Sequence, residues 1–195
     1  MSKTDPEAAK RERNKTIRWV TEIFLTTLLV SGTISFLSEE IMGSSNIIVA
    51  FLILLVIVIV GIIFDIIGVA VTSADEKPFH SMAARKIPGA HEAISLLRNA
   101  ERVSSICNDV IGDICGVVSG SASATIAAEV ISSLDGFSWP KLITLAMSAT
   151  VAALTVGGKA IGKTFAINSS TPIIHGVGRV LYTFHNIPRI VRKKK

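Results

Sequence analysis

The amino-acid sequence predicts an all-α integral membrane protein with four transmembrane helices, a cytoplasmic helical hairpin and a C-terminal interfacial helix. Of the 195 residues, 49% are apolar and 18% are charged, against about 25% charged residues in an ordinary soluble domain. Segments 17–37 and 46–72 are almost free of ionisable side chains. The Lys and Arg residues are concentrated between the long apolar segments and at both termini. This composition excludes a disordered chain and a disulfide-stapled secreted domain.

Four apolar segments are predicted to cross the membrane. The most hydrophobic is Ile47–Val71, which begins with 18 consecutive uncharged residues. A bilayer core requires about 20 residues of helix, and an open strand cannot satisfy its backbone groups in lipid. An additional span precedes it at Ile17–Leu37, where Glu22 lies near one end. The remaining two spans are Val103–Ile131 and Leu142–Gly157.

The distribution of basic residues predicts that both termini are cytoplasmic. Six Lys and Arg residues lie in segment 1–18, five in segment 75–102 and eight after the fourth span, which leaves Lys141 alone outside. Nineteen of 20 on one side agrees with the positive-inside rule. We therefore expect a multi-pass protein of the cytoplasmic (inner) membrane with a polar N-terminus at 1–16 and a basic tail at 188–195. The pI near 9.4 follows from this topology, and we expect no nucleic-acid partner.

Two segments outside the spans are predicted to be helical. Pro88-Gly89 divides segment 75–100 into two short cytoplasmic helices. Segment 171–187 begins with the N-cap residue Thr171 and with Pro172 at the first helical position. Its apolar stripe and the basic tail that follows predict an interfacial helix on anionic lipid.

A stripe of small residues runs along the third span. Gly112, Gly116, Gly120, Ala124 and Ala128 recur every fourth residue, which is the small-xxx-small pattern of close helix packing in membranes. We expect the three glycines to lie against another helix and the protein to form a homodimer through such faces.

Polar residues at membrane depth are the candidate functional residues. Charged groups there are energetically costly and usually mark a pathway or an ion pair, and carboxylate and amide oxygens are preferred ligands of Mg²⁺. One interpretation is a cation site between the second and third spans. The other is that these acids pair with Lys159 or Arg102 and hold the bundle together. The predicted metal ligands are Asp65, Asn108, Asp109 and Asp113.

The order of these parts resembles the transmembrane domain of the CorC/CorB and cyclin-M (CNNM) magnesium transporters over residues 60–187. Phe64–Ala74 is similar to the end of the family's first helix, and Pro88–Leu97 is similar to its cytoplasmic helix. Ile106–Val110 resembles the Gly-Asn-x-Leu segment of its second helix. Gly158–Ala166 resembles the Gly-Glu-Ile-x-Pro-Lys-x-x-Ala segment after its third helix. The span at 17–37 is not part of the family pattern.

The resemblance implies a Mg²⁺ site built from a serine, two asparagines and a glutamate. Asn108 matches the first asparagine, the second falls at Gly112 next to Asp113, and the serine falls at or near Asp65. Lys159 stands at the glutamate position and places a cation where Mg²⁺ would bind. The family's nucleotide-sensing CBS pair is missing from the 195 residues, so we expect no ATP regulation through that module.

From these observations we predict membrane transport of a divalent cation of the Mg²⁺ or Co²⁺ class. Mg²⁺ would be the transported ion, and no resident cofactor is predicted. Lys159 would act as an ion-pair partner or gate. The alternative is a structural or accessory membrane protein that retains the CNNM-like fold without transport. A holin-like pore is disfavoured because lysis does not need acids at defined depths, and the lack of a nucleophile–base set predicts no enzyme.

Overall fold

A computed structural model describes residues 6–43, 46–133 and 139–192. Within these ranges the chain is all-helical and contains no β-strand, as the sequence predicts. The elements are α1 (Pro6–Gly43), α2 (Ile47–Ser73), α3 (Lys77–Ala84), α4 (Ala90–Arg98), α5 (Ala100–Ser105), a π-helix (Ile106–Gly112), α6 (Asp113–Ser133), α7 (Pro140–Asn168) and α8 (Ser170–Arg192).

Four helical stretches are long and apolar enough to cross a membrane. They are Arg13–Ser38, Ile47–Ser73, Ala100–Ser133 and Pro140–Asn168. The prediction of four segments long and apolar enough to cross a membrane is therefore confirmed in number and order. The third stretch is composite, because it joins α5, the π-helix and α6 in one rod.

Helix α2 lies at the centre of the bundle. It packs against α6, α7 and the π-helix, and α1 packs mainly against α6. In one half of the bundle Leu54 and Val58 of α2 are buried against Ile126 of α6 and Val151 of α7. Most other large apolar side chains of α1 and α2 are exposed, as expected of surfaces that face lipid.

Helix α7 continues beyond the predicted end of the fourth span. The prediction placed this end at Gly157, but the helix runs to Asn168. Gly158 and Gly162 lie on the face of α7 that contacts α2: a Cβ at Gly162 would lie 2.8 Å from Cγ1 of Ile66, and one at Gly158 would overlap Ile62. The glycines permit helix packing here and do not end the helix. Lys159 is therefore inside α7.

The short helices α3 and α4 and the long helix α8 form a second packed unit beside the end of α2. Phe79 of α3, Ala93 of α4 and Ile174 of α8 are fully buried around Val71 of α2. The backbones of α4 and α8 meet at Gly89, which has a φ of 87°, and at Gly178. A Cβ on either glycine would overlap the other segment's backbone.

The glycine stripe of the third span is only partly covered within one chain. A Cβ at Gly112 would lie 3.3 Å from the Lys159 ammonium. For Gly116 and Gly120 no heavy atom of the described residues lies within 4 Å of the Cβ position. These two glycines line an open groove between α6 and α7, and no helix of the described residues covers them within one chain.

Candidate cation site between α2, the π-helix and α7

The centre of the candidate site is an ion pair between two spans. Asp65 of α2 and Lys159 of α7 face each other, with 3.6 Å between Oδ1 and Nζ, and the two side chains are 6% and 20% exposed. The ammonium also donates a hydrogen bond of 3.3 Å to the backbone carbonyl of Gly112. Lys159 thus joins three elements, and its partner among the predicted acids is Asp65.

Gly112 ends the π-helix and leaves space for this ammonium. A Cβ at this position would lie 3.3 Å from Nζ of Lys159 and 3.8 Å from Oδ1 of Asp65. A side chain here would therefore crowd the ammonium and reach van der Waals contact with the carboxylate. The absent side chain and the backbone carbonyl of Gly112 act together, since one leaves room for the ammonium and the other binds it.

Two further oxygen atoms, one on α2 and one on the neighbouring π-helix, are buried and accept no hydrogen bond from the described residues. They are Oδ2 of Asp65 and Oδ1 of Asn108. Nδ2 of Asn108 donates to Oγ of Ser104 at 3.2 Å, which turns the amide oxygen toward α2, where a Cβ on Gly68 would overlap it. A buried acceptor without a donor is destabilising. A bound cation or a proton donor would satisfy these two oxygens. Carboxylate and amide oxygens are hard ligands of the kind that Mg²⁺ prefers.

The π-helix separates Asp109 from this cluster. Asp109 and Asp113 are four residues apart, and a regular α-helix would place them on one face. In a π-helix the hydrogen bonds run from i to i+5, so residues four apart no longer lie one above the other. Asp109 is exposed and accepts a hydrogen bond of 2.8 Å from Oγ of Ser105. Asp113 is also exposed and lies in the same groove as Lys159.

That groove has a volume of about 640 Å³ and runs between α6 and α7 from Asp113 and Lys159. Its walls carry small and hydroxyl side chains. The hydroxyls of Ser119, Ser123 and Thr155 donate to carbonyl oxygens of their own helices at 2.8–2.9 Å. Their hydrogen atoms are thus engaged, and their oxygen lone pairs remain available to a cation or to water.

The structure brings Asp65 and Lys159 together, with Asn108 against Gly68, one helical turn from Asp65 along α2, and Asp113 at the groove. It does not place Asp109 with them. In the described part of the chain, no group of three or more His, Cys, Asp or Glu side chains is arranged to hold a metal ion. The sequence analysis missed Ser104, which orients Asn108, and the Gly112 carbonyl. A π-helix has no recognisable sequence signal, although such segments often occur at functional sites.

Compared with models of protein families, with characterised proteins and with solved structures, the chain shows no match. The resemblance to the CNNM transmembrane domain therefore stays a prediction. Of the positions compared, Asn108 matches the family's residue, whereas Gly112 and Lys159 depart from it. Lys159 donates a hydrogen bond to the Gly112 carbonyl, and the Asn108 side chain lies against Gly68 of α2.

Proposed function

We propose that this protein transports a divalent cation of the Mg²⁺ or Co²⁺ class across the cell membrane, through the site between α2, the π-helix and α7. The observation that supports the proposal is the carboxylate of Asp65 within a candidate span. One of its oxygens faces Lys159, and the other is buried without a donor, as is the amide oxygen of Asn108. Ionisable groups at membrane depth commonly mark ion pathways.

In this proposal the ammonium of Lys159 pairs with the carboxylate of Asp65 when no ion is bound. Its distance of 3.6 Å from Asp65 exceeds the roughly 2.7–2.9 Å of a strong charge-assisted hydrogen bond, so an incoming divalent cation competes with a loosely held ammonium. The cation displaces Lys159 toward Asp113 in the groove. Asp65, Asn108 and the Gly112 carbonyl then supply oxygen ligands, and water completes the shell, since Mg²⁺ usually retains several waters.

Ion flux in proteoliposomes tests the proposal, with Mg²⁺, Co²⁺ and Mn²⁺ compared. We expect flux from the wild type and at least a tenfold loss in the doubly neutral variant Asp65→Asn/Lys159→Met, which removes the charged ligand without leaving a lone buried charge. Asp109→Asn is the matched control and should retain flux, because Asp109 is exposed and bonded to Ser105. Lys159→Glu, which restores the family's residue, should change affinity or selectivity. Wild-type-level flux in the double variant would refute the proposed site.

The second candidate function is that of a structural or accessory membrane protein without transport. The observation that favours it is the ion pair itself. The single negative charge of Asp65 is matched by the single positive charge of Lys159, so the pair can join α2 to α7 without a bound ion. In that case, correctly folded wild-type protein would show no flux of any of the three ions. The same double substitution would then change stability alone.

We propose that both termini are cytoplasmic, together with α3, α4 and α8. With this topology α8 lies along the inner membrane surface, where Val180, Leu181 and Phe184 are exposed toward lipid. External thiol reagents should label Lys141→Cys and spare His91→Cys in a background without Cys107 and Cys115. Ser44 and Asp135, which also fall in predicted external loops, lie outside the described residues. Labelling of His91→Cys from outside would overturn this topology.

We propose that a second copy of the chain covers the open glycine stripe of α6. Gly120→Leu should weaken the dimer at least tenfold, because a side chain there would prevent close approach of two α6 helices. Gly157→Leu is the control: it also faces open space, but on α7 and away from the groove. Analytical ultracentrifugation in detergent measures the dissociation constant. Equal constants for the two variants would exclude this interface.

A further inference from the structure

A cleft of about 670 Å³ opens between the first part of α1 and α5. Helix α1 packs against α6 and, less extensively, against α2, and makes little contact with α5. The wall of the cleft includes Arg18, Trp19 and Glu22 of α1 and Arg102 of α5. The proposed cation site does not include any of these residues.

The cleft continues into a second and narrower one of about 220 Å³. The two share Trp19, Glu22 and Arg102, and the second has Ile23 of α1 opposite Ile106 and Val110 of the π-helix. One end of the combined space is therefore charged and the other apolar. A ligand that fills both must have an ionic group and a hydrocarbon chain.

The charged end favours an anion. The arginines Arg18 and Arg102 line it together with two acids, Glu22 and Glu101. Arg18 binds Glu22 at 3.0 Å, but its side chain is 83% exposed, and a guanidinium has five donors in all. Within the ranges that the structure covers, no acid or hydrogen-bond acceptor pairs with the side chain of Arg102.

The position along the spans also favours a lipid. Arg18 and Arg102 both lie in the opening turns of their candidate spans, Arg13–Ser38 and Ala100–Ser133. Trp19 between them is 39% exposed, and tryptophan is enriched at the headgroup level of membranes. Basic pockets between spans on the cytoplasmic side are known to bind anionic headgroups.

We propose that this cleft binds one anionic phospholipid. Its phosphodiester contacts Arg102 and Arg18, and one acyl chain lies along Ile23, Ile106 and Val110. The lipid fills the gap between α1 and α5, so it fastens the first span to the rest of the bundle. The proposal is independent of cation transport.

Thermal unfolding of the purified full-length protein in detergent tests this site. We expect phosphatidylglycerol to raise the Tm by about 5 °C or more at a hundredfold excess over its Kd. Phosphatidylcholine, which lacks the net charge, and glycerol phosphate, which lacks the chains, should each give a much smaller shift. An equal shift from phosphatidylcholine would indicate nonspecific lipid and overturn the proposal. An equal shift from glycerol phosphate would reduce the site to one for free phosphate and would also overturn it.

Two variants and one control variant test whether the rise in Tm with phosphatidylglycerol arises at this cleft. Arg102→Gln should lose the response to phosphatidylglycerol, and Ile106→Trp should lose it by filling the apolar end. Arg85→Gln removes an exposed positive charge outside both clefts and should keep the full response. A full response in Arg102→Gln would overturn the proposal. If a variant fails to fold, the comparison of lipids on the wild-type protein decides the question.

Discussion

Asp65→Asn is expected to lower the free energy of unfolding by about 3–5 kcal/mol, because it leaves the ammonium of Lys159 without its carboxylate in a largely buried position. The neutral double variant Asp65→Asn/Lys159→Met should recover most of this loss, since no lone charge remains. Denaturant-induced unfolding in detergent micelles, followed by circular dichroism, measures the free energies of unfolding of the wild type, of Asp65→Asn, of Lys159→Met and of the double variant. These four values yield the coupling energy of the pair.

Asp113→Asn is the matched control for this experiment. Asp113 is an exposed acid in the groove, and exposed substitutions usually change stability by about 0.5 kcal/mol or less. A loss at Asp113→Asn as large as that at Asp65→Asn would mean that the lysine is shared between the two acids. A small loss at Asp65→Asn would show that the ion pair contributes little to the fold.

Gly178→Ala is expected to destabilise the protein by about 3 kcal/mol, in the range of overpacking substitutions. A Cβ at this position would overlap the carbonyl oxygen of Gly89, and backbone atoms cannot rotate away as the end of a side chain does. Partial separation of α8 from α4 would relieve this overlap and would expose Ile174, which is fully buried. Thermal unfolding and the rate of proteolysis in α8 measure the effect.

The control lies two residues away on the same helix. At Gly176 no heavy atom of the described residues comes within 4 Å of the Cβ position. Gly176→Ala should therefore stabilise α8 by about 0.5–1 kcal/mol through helix propensity alone. Equal effects of the two substitutions would contradict the close backbone approach of α4 and α8.

The four candidate spans were predictable because hydrophobicity over about 20 residues is a local property of the chain. Ile47–Val71 was predicted within two residues of the observed α2. The predicted ends of other helices were less accurate. The sequence predicts the end of the fourth span at Gly157, but α7 continues to Asn168, and Gly158 and Gly162 lie against side chains of α2.

The sequence by itself determined the helical class, the number of candidate spans and the identity of the polar residues among them. Only the tertiary structure decided which of these residues meet. Asp65 is the partner of Lys159 because α2 and α7 cross with these side chains facing each other, and the rotation of two distant helices is not encoded in either one alone. The π-helix separates Asp109 from the site for a similar reason, since one local change of helical repeat redirects the side chains around it.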